Sequence, residues 1–193
     1  MNMNEQMILT GRQEQIRDLD ILPRWDRSLV DYHKYHQFVG QSGIRYEMTM
    51  QATRGCPYRC FYCDVQHLTP MHRRRSVESV FDEVKYLHDM GVRKSEFIDD
   101  AFNVNVKEFK AFFRKVIDSK MDMSFYFQSG LRGDLLDEEA IDLMVEGGTK
   151  SMNLSLESAS PRLQKLMGKY LRIERLRENL DYIVRTYPQI IIG

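Results

Sequence analysis

The chain has 193 residues, and its 28 Lys and Arg residues balance its 28 Asp and Glu residues, which leaves no formal net charge. This balance argues against a nucleic-acid partner held by bulk positive charge. The 42% of hydrophobic and 11% of aromatic residues argue against wholesale disorder. No apolar run reaches membrane-spanning length and the amino terminus lacks the pattern of a secretory signal, so we expect a soluble, cytoplasmic protein without a membrane partner.

Residues 1–45 show no clear hydrophobic period. The segment is polar at first and then carries Pro23, Trp25 and several other aromatic residues. We expect it to form an amino-terminal extension that packs on the outside of a domain beginning at residue 46.

From residue 46 onward, short β-rich runs alternate with segments of helical period. Such alternation indicates an α/β fold, in which helices connect the strands of a parallel sheet. The predicted strands lie within residues 46–52, 95–98, 123–128, 151–156 and 190–192. The predicted helices cover residues 77–90, 106–117, 137–146, 161–167 and 173–186.

The last predicted strand consists of Ile190, Ile191 and Ile192, and no helix follows it. Because parallel strands are normally covered on both faces, we expect the domain over residues 46–193 to be incomplete at its carboxyl end. Three consecutive isoleucines suit an interior strand, and an edge strand is the alternative.

All three cysteines, Cys56, Cys60 and Cys63, fall within eight residues. An odd number of clustered thiols makes a poor disulfide framework, so the pattern favours metal binding. A four-iron cluster usually has four cysteine ligands. Three would leave one iron with the open position that a metal needs to bind a substrate. The loop follows the first predicted strand, where parallel α/β folds place their chemistry, and Gly55 gives its backbone freedom to turn.

The segment from Thr53 to Cys63 resembles the cluster motif of radical S-adenosylmethionine enzymes, including the aromatic Tyr62 before the third cysteine. Three later stretches agree with this motif in order, at residues 97–102, 131–136 and 155–158. They are most similar to the catalytic domain of the cobalamin-binding branch of that superfamily, from about residue 17 to the end. The resemblance implies a partial (βα)6 TIM-like barrel, of which about five strands are present.

The resemblance also implies the cofactors and the reaction. Cys56, Cys60 and Cys63 would ligate a [4Fe-4S] cluster whose open iron binds S-adenosylmethionine. Reductive cleavage would give methionine and a 5′-deoxyadenosyl radical that abstracts hydrogen from a peptide or small metabolite, with methylation or rearrangement as outcomes. An electron donor such as flavodoxin or ferredoxin is implied. Cobalamin is a further candidate cofactor, although its usual domain does not precede the barrel in this sequence.

Five more residues match positions that contact S-adenosylmethionine in the family. The resemblance places Tyr62 near the adenine, and it places Asp99 and Asp100 near the amino group, for which a carboxylate suits the charge. Glu157 would accept hydrogen bonds from the ribose hydroxyls. Arg132 would neutralise the carboxylate of the cofactor.

Simpler interpretations exist for each feature. The cysteines could form a zinc site with His67, in which case the chain is a non-catalytic remnant or a zinc-stapled binding module. Asp99 and Asp100 could cap a helix, and a buried Glu157 could pair with an internal arginine. The basic run at residues 72–75 is either a solvated turn or the contact of an anionic partner, because cations beside a helix amino terminus are unfavourable.

Overall fold

The computed structural model describes residues 2–3, 6–7, 11, 13–35 and 43–193. The strands are β1 (Asn2–Met3), β2 (Gln6–Met7), β3 (Met48–Met50), β4 (Thr53–Arg54), β5 (Arg73–Arg74), β6 (Lys94–Phe97), β7 (Ser124–Leu131), β8 (Thr149–Leu154) and β9 (Ile191–Ile192). The helices are α1 (Val65–Leu68), α2 (Val77–Asp89), α3 (Val106–Ser119), α4 (Glu138–Glu146), α5 (Pro161–Met167) and α6 (Ile173–Thr186). The remaining residues of the predicted extension lie outside the described part of the chain.

Five strands form a single parallel sheet in the order β3-β6-β7-β8-β9. Helices α2 to α6 occupy the predicted connections, so the predicted α/β fold with a partial barrel is confirmed. Strands β1 with β2, and β4 with β5, form two short antiparallel pairs outside this sheet. The β4–β5 pair flanks the cysteine loop, and α1 inside that loop was not predicted.

Local sequence explains where the helices begin. The side chains of Ser76, Asn105, Asp137 and Ser160 each accept a hydrogen bond from the backbone N–H three residues later, as amino-terminal caps do. Pro161 follows the last of these caps at the start of α5, where its missing N–H costs nothing.

Strand β8 ends two residues before the predicted boundary. The backbone N–H of Ser155 still donates to the carbonyl of Leu131, but Glu157 has a φ of 57°, which turns the chain out of the strand. Glu157 therefore lies on the loop after β8 and not on the strand itself. Strand β7, by contrast, extends to Leu131, beyond its predicted end at residue 128.

The two faces of the sheet differ in character. On the helix side, seven phenylalanines pack in the core, and Phe97 and Phe127 stack with ring centroids 5.2 Å apart. These residues are Phe97, Phe102, Phe109, Phe112, Phe113, Phe125 and Phe127. The opposite face carries polar residues that are paired across the strands, namely Thr49, Glu96, Tyr126 and Ser151. That polar face is the inner surface of the partial barrel.

The segment over residues 13–35 contacts α2. Arg27 donates to Thr49 O at 2.7 Å and forms an ion pair with Glu83 at 2.9 Å. The Asp20 carboxylate accepts from the backbone N–H of Ser76 at 3.1 Å. These contacts place the segment beside the first helix of the barrel, whereas the domain boundary at residue 45 stays a prediction.

At the other end, β9 pairs with β8, and Ile191 is 67% exposed while Ile190 is buried. Among the described strands, β9 is the last in the sheet order, and the interior position of the three isoleucines stays a prediction. Among the described helices, none combines the length and the apolar composition needed to cross a membrane.

Candidate metal and cofactor site

The cysteine loop begins at Gly55, directly after β4. Gly55 has a φ of 79°, and a Cβ at this position would lie 2.5 Å from Met71 O and 2.6 Å from Thr69 O. Both the conformation and the close approach of the backbone require glycine here. A tight turn follows, in which Cys63 N donates to Cys60 O at 3.0 Å.

The side chain of Gln66 binds the backbone of the cysteine loop, a role that was not predicted from the sequence. Its side-chain amide donates to the carbonyl oxygens of Cys56 and Tyr58, the latter at 2.7 Å. Gln66 lies on α1, which follows Cys63, so these hydrogen bonds connect the end of the cysteine loop to its beginning. No motif signals the role, since glutamine is ordinary in a helix.

The three thiols are free and partly buried. Burial raises the pKa of Cys56, and the neighbouring Cys60, Cys63 and Asp100 raise it further, although a hydrogen bond from Tyr58 lowers it. Such a cluster of thiols fits a positively charged inorganic group, because a metal stabilises the thiolates that burial and repulsion disfavour. The donor set therefore matches the [4Fe-4S] cluster predicted from the sequence.

The zinc alternative fits the structure less well. Among the described residues, no three Cys, His, Asp or Glu side chains converge on one position that could hold a single ion. His67 is exposed, and its Nδ1 lies 2.9 Å from Oδ1 of Asp64. A four-iron cluster does not need such convergence, because each thiolate binds a different iron.

Asp99 lies at the end of β6 and is 2% exposed. Its carboxylate accepts from Ala52 N at 3.1 Å, from Thr53 Oγ1 at 2.6 Å and from Thr53 N. Burial raises the pKa of Asp99 to about 7, although these hydrogen bonds lower it. Asp99 therefore joins β6 to the segment that enters the cysteine loop.

Asp100 is exposed and accepts from Gly55 N at 3.0 Å. It thus holds the residue before Cys56, and its charge contributes to the raised pKa of that thiol. Neither Asp99 nor Asp100 caps a helix: α3 is capped by Asn105. Both carboxylates lie at the carboxyl edge of the sheet, as the sequence predicted.

Tyr62 and Glu157 come together across the site. Burial raises the pKa of Tyr62, as do the nearby charges of Glu157 and Cys60. Glu157 forms an ion pair with Lys169, which is buried and also donates to Ser155 O at 2.7 Å. The internal partner of Glu157 is therefore a lysine, which sequence reasoning did not identify. The Glu157 side chain remains exposed, and it lies near Tyr62.

Arg132 is buried and makes a bidentate pair with Asp134, with Nε and Nη2 donating at 2.8 and 2.9 Å. Its Nη1 donates to Lys169 O at 2.9 Å, and its guanidinium lies 4.1 Å from the centre of the Tyr58 ring. These contacts use most of the N–H donors of the guanidinium. Arg132 therefore has protein partners both in the cysteine loop, at Tyr58, and outside it, at Asp134 and Lys169.

The side chains of the basic run at residues 72–75 form hydrogen bonds and ion pairs with other residues of the chain. Arg73 donates to Ile16 O at 2.6 Å, Arg74 pairs with Glu108, and Arg75 pairs with Glu83. His72 lies 3.3 Å from Ala101 O. These internal contacts account for the run, so an anionic partner is not needed to explain it.

A parallel α/β sheet with three free thiols and several carboxylates at its carboxyl edge defines a barrel-type cofactor site. The family model described as the Radical SAM superfamily matches residues 50–192. The chain therefore belongs to the radical S-adenosylmethionine superfamily, which confirms the resemblance seen in the sequence. Membership implies an enzyme whose cofactors are a [4Fe-4S] cluster and S-adenosylmethionine.

Similar proteins include methyltransferases. The chain is 30% identical over 80% of its length to an uncharacterised methyltransferase of Pyrococcus horikoshii and spans 32% of that protein. It is 30% identical over 69% of its length to the cytidylyl-2-hydroxyethylphosphonate methyltransferase of Streptomyces wedmorensis and spans 25% of it. The chain thus covers a third or less of either relative.

Solved structures share the fold. The methyltransferase TsrM from Kitasatospora setae, with cobalamin and a [4Fe-4S] cluster bound, matches 84% of this chain and 30% of its own with a TM-score of 0.68. The sequence identity is 20%, so this likeness concerns the fold alone.

Proposed function

We propose that the protein holds a [4Fe-4S] cluster on Cys56, Cys60 and Cys63 and uses it to cleave S-adenosylmethionine reductively. The observation that carries this proposal is the loop of three free thiols at the carboxyl edge of a parallel sheet. When bound, the cluster supplies one electron to the sulfonium, which yields methionine and a 5′-deoxyadenosyl radical.

The chain's own residues would shape and shield this site. Asp99, Asp100 and Gln66 hold the loop through backbone hydrogen bonds, so the three thiols are fixed relative to the sheet. Through these three thiols a rigid loop would hold the cluster in one place, and this would help to orient S-adenosylmethionine for reaction.

Tyr62 and Glu157 would hold the nucleoside part of S-adenosylmethionine. Glu157 is exposed beside Tyr62, and its carboxylate can accept two hydrogen bonds from a ribose diol. Lys169 neutralises part of its charge and limits its movement. An aromatic ring such as Tyr62 suits contact with a flat base.

Asp99, Asp100 and Arg132 are the weaker candidates for direct cofactor contact, because each already has protein partners. Asp100 is exposed and uses its Oδ2 on Gly55, so it stays the better candidate for the amino group. Arg132 would act on the cofactor through its remaining donor.

The substrate would lie over the polar inner face of the sheet. Gln128 Nε2 donates to Ser151 Oγ at 2.6 Å, and Asn153 Nδ2 donates to Gln128 O at 2.8 Å. Such a surface suits a small molecule rich in hydrogen-bonding groups. Two of the similar relatives are named as methyltransferases, so methyl transfer is the proposed outcome. Cobalamin, which is bound in the similar TsrM structure, is the candidate carrier.

Anaerobic reconstitution with iron and sulfide tests the proposal. We expect a broad absorbance at about 400 nm, followed by formation of 5′-deoxyadenosine when dithionite and S-adenosylmethionine are added. Cys60→Ala should lose both signals, whereas His67→Ala should keep both, because the cluster does not use the imidazole. Tight zinc binding that depends on His67, with no such absorbance, would overturn the proposal.

A further inference from the structure

A buried positive charge lies against the cysteine loop. The loop residue Tyr58 stands midway between Cys56 and Cys60, and its backbone N–H donates a hydrogen bond to the Cys56 thiol. The centre of the Tyr58 ring lies 4.1 Å from Cζ of Arg132, and the Arg132 side chain is 10% exposed. Tyr58 therefore connects this guanidinium to the thiols of the loop.

The positive member of a buried ion pair is the one that touches the loop. Asp134 is 1% exposed and accepts from Nε and Nη2 of Arg132. The same carboxylate accepts from the backbone N–H of Arg172 at 3.2 Å and lies 3.6 Å from Nε of that residue. Asp134 is thus shared by two arginines, of which Arg132 contacts Tyr58.

The pKa values of Tyr58 and Arg132 reflect the same arrangement. Burial raises the pKa of Tyr58, and among the nearby charges Arg132, which lowers it, has a larger effect than Asp134, which raises it. Burial lowers the pKa of Arg132, but Asp134, Tyr58 and Cys60 together raise it above its usual value. The charge of Arg132 therefore acts on the loop more strongly than that of Asp134 does.

Several other charges near the loop are exposed to water. Arg59, Asp64 and Asp100 are all exposed, so solvent and salt screen their fields. A buried charge is screened much less, because the protein around it has a lower dielectric constant than water. The field of Arg132 therefore extends to a group that the three thiols hold.

We infer that Arg132 raises the reduction potential of the [4Fe-4S] cluster and so makes the cluster easier to reduce. This inference rests on the proposed function. The potential of such a cluster depends on nearby charge, hydrogen bonds and exposure to solvent. Reduction adds one electron from an external reductant and breaks no bond in the protein. A fixed cation beside the loop stabilises this added negative charge.

A redox titration of the reconstituted protein tests the inference. Dithionite supplies the electrons, and electron paramagnetic resonance of the reduced cluster measures the midpoint potential. S-adenosylmethionine is left out, so a contact of Arg132 with that cofactor contributes nothing. Arg132→Met removes the charge and should lower the ratio of reduced to oxidised cluster about tenfold at a fixed potential, which corresponds to about 59 mV for one electron.

Two further variants separate charge from structure. Arg132→Lys also loses the bidentate pair but keeps the positive charge, so its potential should stay close to that of the unaltered protein. Asp134→Asn breaks the same pair but removes the negative charge, so its potential should rise. A purely structural effect does not give shifts of opposite sign, and Asp134→Asn still tests the inference if Arg132→Met folds too poorly to hold a cluster.

Arg27 supplies the matched control. It shares buried Glu83 of α2 with Arg75, and its side chain is also 10% exposed. Arg27→Met removes a buried charge beside α2 and should leave the potential unchanged. Equal potentials in Arg132→Met and the unaltered protein would overturn the inference, as would shifts of the same sign in Arg132→Met and Asp134→Asn. Absence of any cluster in the unaltered protein would instead contradict the proposed function, so the two failures are distinguishable.

Discussion

The carboxylate of Asp100 accepts a hydrogen bond from the backbone N–H of Gly55 at 3.0 Å. The two residues are far apart in sequence, yet this bond connects the end of β6 to the residue that precedes Cys56. Asp99, its neighbour, holds Ala52 and Thr53 in the same way. The second strand of the sheet therefore supports the cysteine loop.

Removal of this support should weaken cluster assembly. Asp100→Ala leaves the Gly55 N–H without its acceptor, whereas Asp100→Asn keeps an acceptor oxygen. We expect Asp100→Ala to lower the iron content after reconstitution while the free energy of unfolding changes by about 1 kcal/mol or less. Asp100→Asn is the matched control and should retain most of the iron. Equal iron content in all three proteins would contradict the supporting role.

Gly55→Ala should be more damaging than an alanine at another glycine with positive φ. Gly91 has a φ of 89° and no atom within 4 Å of the place that a Cβ would occupy, so Gly91→Ala measures the conformational cost alone, about 1 kcal/mol. At Gly55 the Cβ also meets Met71 O and Thr69 O, which adds about 1–3 kcal/mol. Urea denaturation of both variants checks the difference. Similar losses of stability would show that the loop relaxes around the added methyl group.

Much of the site could be predicted from the sequence. Cys56, Asp99 and Asp100 each directly follow a strand-like run, and carboxyl ends of parallel strands meet at one edge of a sheet. Helices α2 to α6 were also predictable, because their apolar stripes, and the side-chain caps of α2 to α5, are local signals. The end of β8 was less predictable: the chain turns at Glu157, which has a positive φ and pairs with Lys169 from a later part of the chain.

The partners of the site residues could not be predicted in the same way. Lys169 and Gln66 lie in ordinary helical or loop sequence, and their roles arise from tertiary contacts with Glu157 and the cysteine loop. Asp134 stands only two residues after Arg132, so a local pair was visible in principle. The sequence pattern did not show that this pair is buried.

Asp99 should make stability depend on pH. Because burial raises the pKa of Asp99 to about 7, the folded chain keeps a proton that the unfolded chain releases at about pH 4. The stability that Asp99 contributes is therefore fully present below the pKa of the unfolded residue and is lost as the pH rises through about 7. Urea denaturation between pH 5 and about 8 should show this decline in the unaltered protein. Asp99→Asn cannot titrate and should show a flatter profile, whereas identical profiles would contradict the assignment.

Arg132 should contribute to stability as well as to any cofactor contact. Arg132→Lys loses the bidentate pair with buried Asp134 and the hydrogen bond to Lys169 O, so we expect a loss of about 2–4 kcal/mol. Arg172 is the matched control, because its Nε lies 3.6 Å from the same carboxylate and its side chain is 64% exposed. Arg172→Lys should cost about 1 kcal/mol or less.

Thermal and urea unfolding of the two variants, together with equilibrium binding of S-adenosylmethionine, separate the two roles of Arg132. If Arg132 only neutralised the cofactor, the Arg132→Lys variant would bind S-adenosylmethionine more weakly without becoming less stable. Arg132 is buried between Asp134 and the Tyr58 ring, so the Arg132→Lys variant should lose stability. The buried Asp134 carboxylate then loses its bidentate partner and keeps only its contacts with Arg172. If Arg132→Lys and Arg172→Lys unfold at the same urea concentration, the buried pair does not support the loop.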